Sequence, residues 1–135
     1  MRMKRLMAIG VLVLGSSAAM AGLVNEFPVT VNLNPDGSGS AAGSITTARF
    51  SKDLVQYIGC GIRRFDDGAG GVFVFGFCQA STATEVVGFC DSENPALLAS
   101  IGDQDDFSFI TFGWNAAGEC TSIGNSTQSF YLPKF

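Results

Sequence analysis

A chain of 135 residues with twelve Asp/Glu, eight Lys/Arg and no histidine has room for one hydrophobic core. It also lacks the side chain on which Ser-His-Asp, Cys-His and His-bearing zinc chemistry depends. Its net charge of −4 repels phosphate backbones and anionic headgroups, so no nucleic-acid partner is expected.

Met1 to Arg5 carry three basic residues, an apolar run follows from Leu6 to Leu14, and small residues end in Ala-Met-Ala before Gly22. These are the three parts of a secretory signal peptide, and the apolar run is too short to cross a bilayer as a helix. Residues 1–21 are therefore expected to be a signal peptide of bacterial type. Residues 22–135 are expected to form a single β-rich domain, secreted or periplasmic, with no membrane span. Without the leader, five basic residues face twelve acidic ones, a charge of about −7.

Cys60, Cys78, Cys90 and Cys120 all follow the leader. An even count in an exported chain predicts two disulfides, each worth about 2–4 kcal/mol. Gaps of 18, 12 and 30 residues are too wide for a Cys-x-x-Cys metal site. Of the three pairings, Cys60–Cys78 with Cys90–Cys120 is favoured, because Cys60 and Cys78 flank the turn Asp66–Gly71 symmetrically about Ala69.

In chain order, residues 26–33 alternate Phe27, Val29, Val31 and Leu33 with polar side chains, a half-buried strand that Pro28 assigns to an edge. Residues 34–43 read as a turn-rich surface loop, and Ser44–Phe50 as a second strand. A third strand runs through Leu54–Ile62 into the turn Asp66–Gly71. "GVFVFGFC" (71–78) follows, with Phe73, Phe75 and Phe77 on one face and Val72, Val74 and Cys78 on the other. Glu85–Cys90 is another strand. Asn94 as cap, Pro95 at the first position and Gly102 past the end predict one short helix over 94–101. Phe107–Trp114, the segment around Cys120 and Ser129–Leu132 complete the strands. This spacing predicts an all-β fold, an antiparallel β-sandwich or small barrel with one short helix and two disulfides.

A strand apolar on both faces lies inside a two-layer stack or borders another chain. Cys78 assigns its own face to the core. The Phe73, Phe75 and Phe77 ladder is then covered by the helix or left for a partner, and the first is favoured because few helices are available to bury twelve phenylalanines. Left open, the ladder and the neighbouring Arg63 and Arg64 form an interaction surface for self-association or an unidentified protein.

Few chemical constellations remain. Asp103, Asp105 and Asp106 bunch hard oxygen ligands that suit a weak extracellular calcium site, but match no EF-hand spacing and read first as solvated loop. Together with Glu119 they are also the only candidates for a carboxylate pair of glycosidase type. Ser51 and Lys52 are adjacent on a loop, where successive side chains diverge. Trp114, Tyr57 and Tyr131 fall in or beside strands and read as core filling rather than a sugar platform. Asn125-Ser126-Thr127 fits a glycosylation acceptor. A terminal Phe135 suggests an outer-membrane barrel, but Ser44–Phe50 offers no lipid-facing stripe and Pro133 interrupts the end. No cofactor beyond calcium is suggested. The function that follows is a non-catalytic binding or structural role at the envelope or outside the cell. The alternative is a small disulfide-stapled inhibitor of a secreted enzyme.

Overall fold

Alternating apolar residues and tight turns fold the chain into two antiparallel sheets in the computed structural model, which describes residues 22–133. The expected signal peptide lies outside the described residues. The elements are β1 (Thr30–Leu33), β2 (Gly39–Ser44), α1 (Ile45–Arg49), β3 (Tyr57–Asp66), β4 (Val72–Ser81), β5 (Val87–Ser92), α2 (Pro95–Gly102), β6 (Phe109–Trp114) and β7 (Cys120–Ser126), then a 3-10 turn at Ser129–Tyr131. One sheet has the order β1-β2-β6-β7 and the other β3-β4-β5. No helix among the described residues is long and apolar enough to cross a membrane.

The inward face of every strand follows the two-residue period. Ala41, Ile110, Phe112, Trp114 and Ile123 from the first sheet meet Ile58, Cys78, Ala80 and Cys90 from the second. Both disulfides have the favoured pairing. Cys60–Cys78 joins neighbouring strands (Cα–Cα 4.0 Å), and Cys90–Cys120 ties the two sheets together (Cα–Cα 5.1 Å). Two disulfides belong to an oxidising compartment. The buried indole of Trp114 needs missing side chains on both sides of it. A Cβ at Gly39 would stand 2.5 Å from Trp114 Cζ2, and one at Gly88, on the facing sheet, 2.7 Å from its Cη2. Its Nε1 donates to the Gly37 carbonyl (3.1 Å).

Strands β3 and β5 start two or three residues later than expected, at Tyr57 and Val87, and four further segments depart from the sequence expectation. Ser44–Phe50 is not a strand: the Ser44 hydroxyl accepts from the Thr47 amide, and α1 buries Thr46 and Ala48. The turn expected at 34–43 closes early, with the Asn34 amide donating to the Ser38 carbonyl (2.8 Å), and Gly39–Ser44 continues as a strand between β1 and β6. Its small residues suit that place, where Trp114 and Val29 fill the space that side chains would need. The first strand starts only at Thr30, since the Phe27 and Val29 amides donate instead to Thr47 Oγ1 and Gln56 Oε1. The last expected strand is a 3-10 turn whose Tyr131 packs against Phe27 and Phe109.

Helix α2 forms as expected, with the Asn94 side chain accepting from the Ala96 amide (2.9 Å). Its position corrects the favoured account of the phenylalanine ladder. Ile101 Cδ1 and Leu98 Cδ1 stand 2.6 and 3.2 Å from where a Gly76 Cβ would be. The helix therefore packs on the face of β4 that carries Gly76 and Cys78, opposite the ladder. Gly76 is what lets a helix approach there.

Candidate functional site

Strands β3 and β4 pair over ten residues each, from Tyr57↔Ser81 to Asp66↔Val72. Strand β5 pairs only with the stretch Gly76–Ser81. The distal half of the hairpin, Arg63 to Phe75, thus extends beyond its neighbour as a two-stranded arm. Its tip is well defined. The Asp66 carboxylate accepts from the Gly68 amide (2.7 Å), the Asp67 carboxylate from the Ala69 and Gly71 amides (2.8 and 2.9 Å), and Gly68 and Gly70 take left-handed backbone. The amides of Ala69 and Gly71 hold the Asp67 carboxyl below the usual carboxylate range.

One face of this hairpin is aromatic and open. Phe65 lies directly across from Phe73, and Arg63 from Phe75. The rings form a continuous row: Phe65 stacks on Phe75 (6.0 Å between centroids), while Phe73 and Phe77 are tilted against Phe75 (5.7 and 6.2 Å). The Arg63 guanidinium lies 4.8 Å above the Phe77 ring, closing the row with a cation. Phe89 on β5 continues the face through its neighbour Gln79. Phe65, Phe73 and Phe89 are 50, 46 and 51 % exposed. Soluble monomers rarely leave so many large apolar side chains contiguous on one sheet face.

Of the surface residues expected, the structure brings Phe73, Phe75, Phe77 and Arg63 onto one face, while Arg64 points to the other. Phe89 was missed, and Phe65, read with Arg63 and Arg64 as a presented loop, was not placed on this face. Phe65 was legible, because a turn centred on Ala69 that sets Cys60 against Cys78 also sets Phe65 against Phe73.

The aspartates of the expected calcium loop have other partners. Asp105 accepts from the Phe107 amide (2.9 Å) and from the Thr127 hydroxyl (2.7 Å), and these bonds, the Thr127 one foremost, hold its carboxyl below the usual range. Asp103 and Asp106 are exposed, and the three carboxylates do not gather as a three-ligand group among the described residues. The one such group there is Cys78, Cys90 and Cys120, whose sulfurs lie within 4.8 Å of one another and are held in disulfides. Glu119 accepts from the Asn115 side chain (2.7 Å) in the β6–β7 turn. The Ser51 hydroxyl donates to Asp53. Asn125 donates its side-chain amide to the Ser100 carbonyl at the end of α2 (3.0 Å). An open groove of about 830 Å³ runs between α1, the loop 51–56 and the C-terminal turn, past Glu26, Lys52 and Asp53. Asp53 is occupied there by the amides of Val55 and Gln56 (3.0 and 2.9 Å). Among the described residues, the aromatic row is the candidate binding face. Comparison of the chain with protein-family models, curated proteins and solved structures gives no match.

Proposed function

We propose that this is an exported, non-catalytic structural protein of the envelope or extracellular space, whose aromatic hairpin is the surface through which it assembles with a second copy of itself. The observation that carries this reading is the open row Phe65, Phe73, Phe75 and Phe77 on a hairpin arm that the other described residues leave partly or largely exposed. Two disulfides and a leader-like N-terminus support export. An arm with apolar side chains and unpaired edges is a liability unless it is occupied.

Sedimentation of the oxidised protein over a range of concentrations tests this. Assembly is expected to rise with concentration and to weaken roughly tenfold or more in Phe73→Ser or Phe75→Ser, with folding retained. A protein that stays monomeric at high concentration and co-purifies with a secreted protease or glycosidase favours the inhibitor instead, with the hairpin tip as its contact.

A further inference from the structure

Resting on that reading, the sequence of the arm specifies how the second copy docks. Strand β3 ends its sheet, with no strand on its outer side among the described residues. The Asp67 amide donates to the Gly71 carbonyl (3.1 Å), and bonded pairs alternate along an antiparallel ladder. Phe65 and Arg63 therefore direct their backbone groups toward β4, whereas Ile62, Arg64 and Asp66 direct theirs outward to the free edge. The short Cα–Cα distance of the Cys60–Cys78 pair, a non-bonded pair in this scheme, agrees.

Along that edge the residues read Arg63-Arg64-Phe65-Asp66-Asp67, a pattern whose charge reverses about Phe65. A two-fold symmetric contact requires that residue i meet residue j while j meets i. Two β3 edges running antiparallel with Phe65 on the axis satisfy this. Arg64 of each copy then faces Asp66 of the other in a bonded pair, and Arg63 falls opposite Asp67.

The two adjacent registers fail. Outward-facing residues must oppose one another, so the strands can slip only in steps that keep this parity. One step toward the N-terminus sets Arg64 against Arg64, and one step toward the C-terminus sets Asp66 against Asp66. Like charges directly opposite are destabilising.

We infer that the protein forms a symmetric dimer by antiparallel pairing of two β3 edges about Phe65, with reciprocal Arg64–Asp66 pairs. The Arg63–Asp67 contact is the weaker one, since Arg63 already lies over Phe77 and Asp67 serves its own turn. The pairing joins the two aromatic rows into one face across a six-stranded sheet, with the two Phe65 side chains meeting at the seam.

Charge reversal tests the register. Arg63→Glu/Arg64→Glu and Asp66→Lys/Asp67→Lys are each expected to lose dimerisation by roughly tenfold or more, and an equimolar mixture of the two to regain it. Phe65→Cys provides a second route that does not depend on the turn aspartates. Under mild oxidation it is expected to cross-link two chains, whereas Phe73→Cys is not, its copies standing about 14 Å apart across three strand spacings. If the reversals leave assembly intact, or Phe73→Cys cross-links and Phe65→Cys does not, this register is overturned. Should assembly in that case still depend on Phe73 and Phe75, the structural role stands with another seam, such as the free edge of β4 at Val72 and Val74. A wild-type protein that remains monomeric overturns both.

Discussion

Leu54 holds left-handed backbone (φ 63) with its side chain 92 % exposed. That conformation costs a non-glycine residue about 1–2 kcal/mol, and the side chain returns nothing in burial. Asparagine, which tolerates this region, is expected to raise stability by roughly 0.5–1 kcal/mol in Leu54→Asn, read as a higher thermal midpoint. The turn around Leu54 is held by Asp53, whose carboxyl is pulled down to about 2 by the Gln56 side-chain amide first and by the Val55 and Gln56 backbone amides next. A carboxyl lowered on folding contributes stability that is full above its ordinary value of 3.8 and is lost as pH falls toward about 2. Acid unfolding of the wild type is expected to steepen in that window, and Asp53→Asn to flatten the slope. Solvent screening at this exposed site keeps the amplitude small.

Packing of whole elements turns on single small residues. Helix α2 reaches β4 only because position 76 is glycine, and Gly76→Val would drive its side chain into Leu98 and Ile101. Such overpacking is expected to cost about 1–3 kcal/mol, measured as a fall in the denaturant midpoint at unchanged m-value. This position also marks where legibility in the sequence ended. Alternation and the symmetry about Ala69 were enough for the β3–β4 register, the Cys60–Cys78 bond and the common face of Phe73, Phe75 and Phe77. Asn94 and Pro95 were enough for the start of α2, whose far end runs one residue further than read, with Gly102 inside it and Asp103 as its cap. The face on which that helix lands was not readable, because it depends on a backbone approach that a lone glycine permits without announcing. Nor was β2, whose Gly39 and Gly43 look like a loop until Trp114 and Val29 are seen to fill their places. Helix α1 was hidden by β-branched residues, Ile45, Thr46 and Thr47, whose strand preference is overridden by the Ser44 cap and by burial of Thr46 and Ala48.

Across the whole molecule the two disulfides have unequal work. Cys60–Cys78 reinforces a pairing that the β3–β4 ladder already makes, whereas Cys90–Cys120 is the covalent tie between the sheets. Removing the latter as Cys90→Ala/Cys120→Ala is expected to cost about 3–4 kcal/mol by chain entropy alone, and more than removing the former, in paired chemical-denaturation curves. The meeting of the Cys78, Cys90 and Cys120 sulfurs within 4.8 Å has a consequence for biogenesis. A newly made chain that gathers these thiols before they oxidise stands at a fork, since two sulfurs other than that of its own partner come within 4.8 Å of Cys78. Thiolate exchange among them lets an early mispair be corrected from within. Maturation of this protein would then depend on an isomerase as much as on an oxidant.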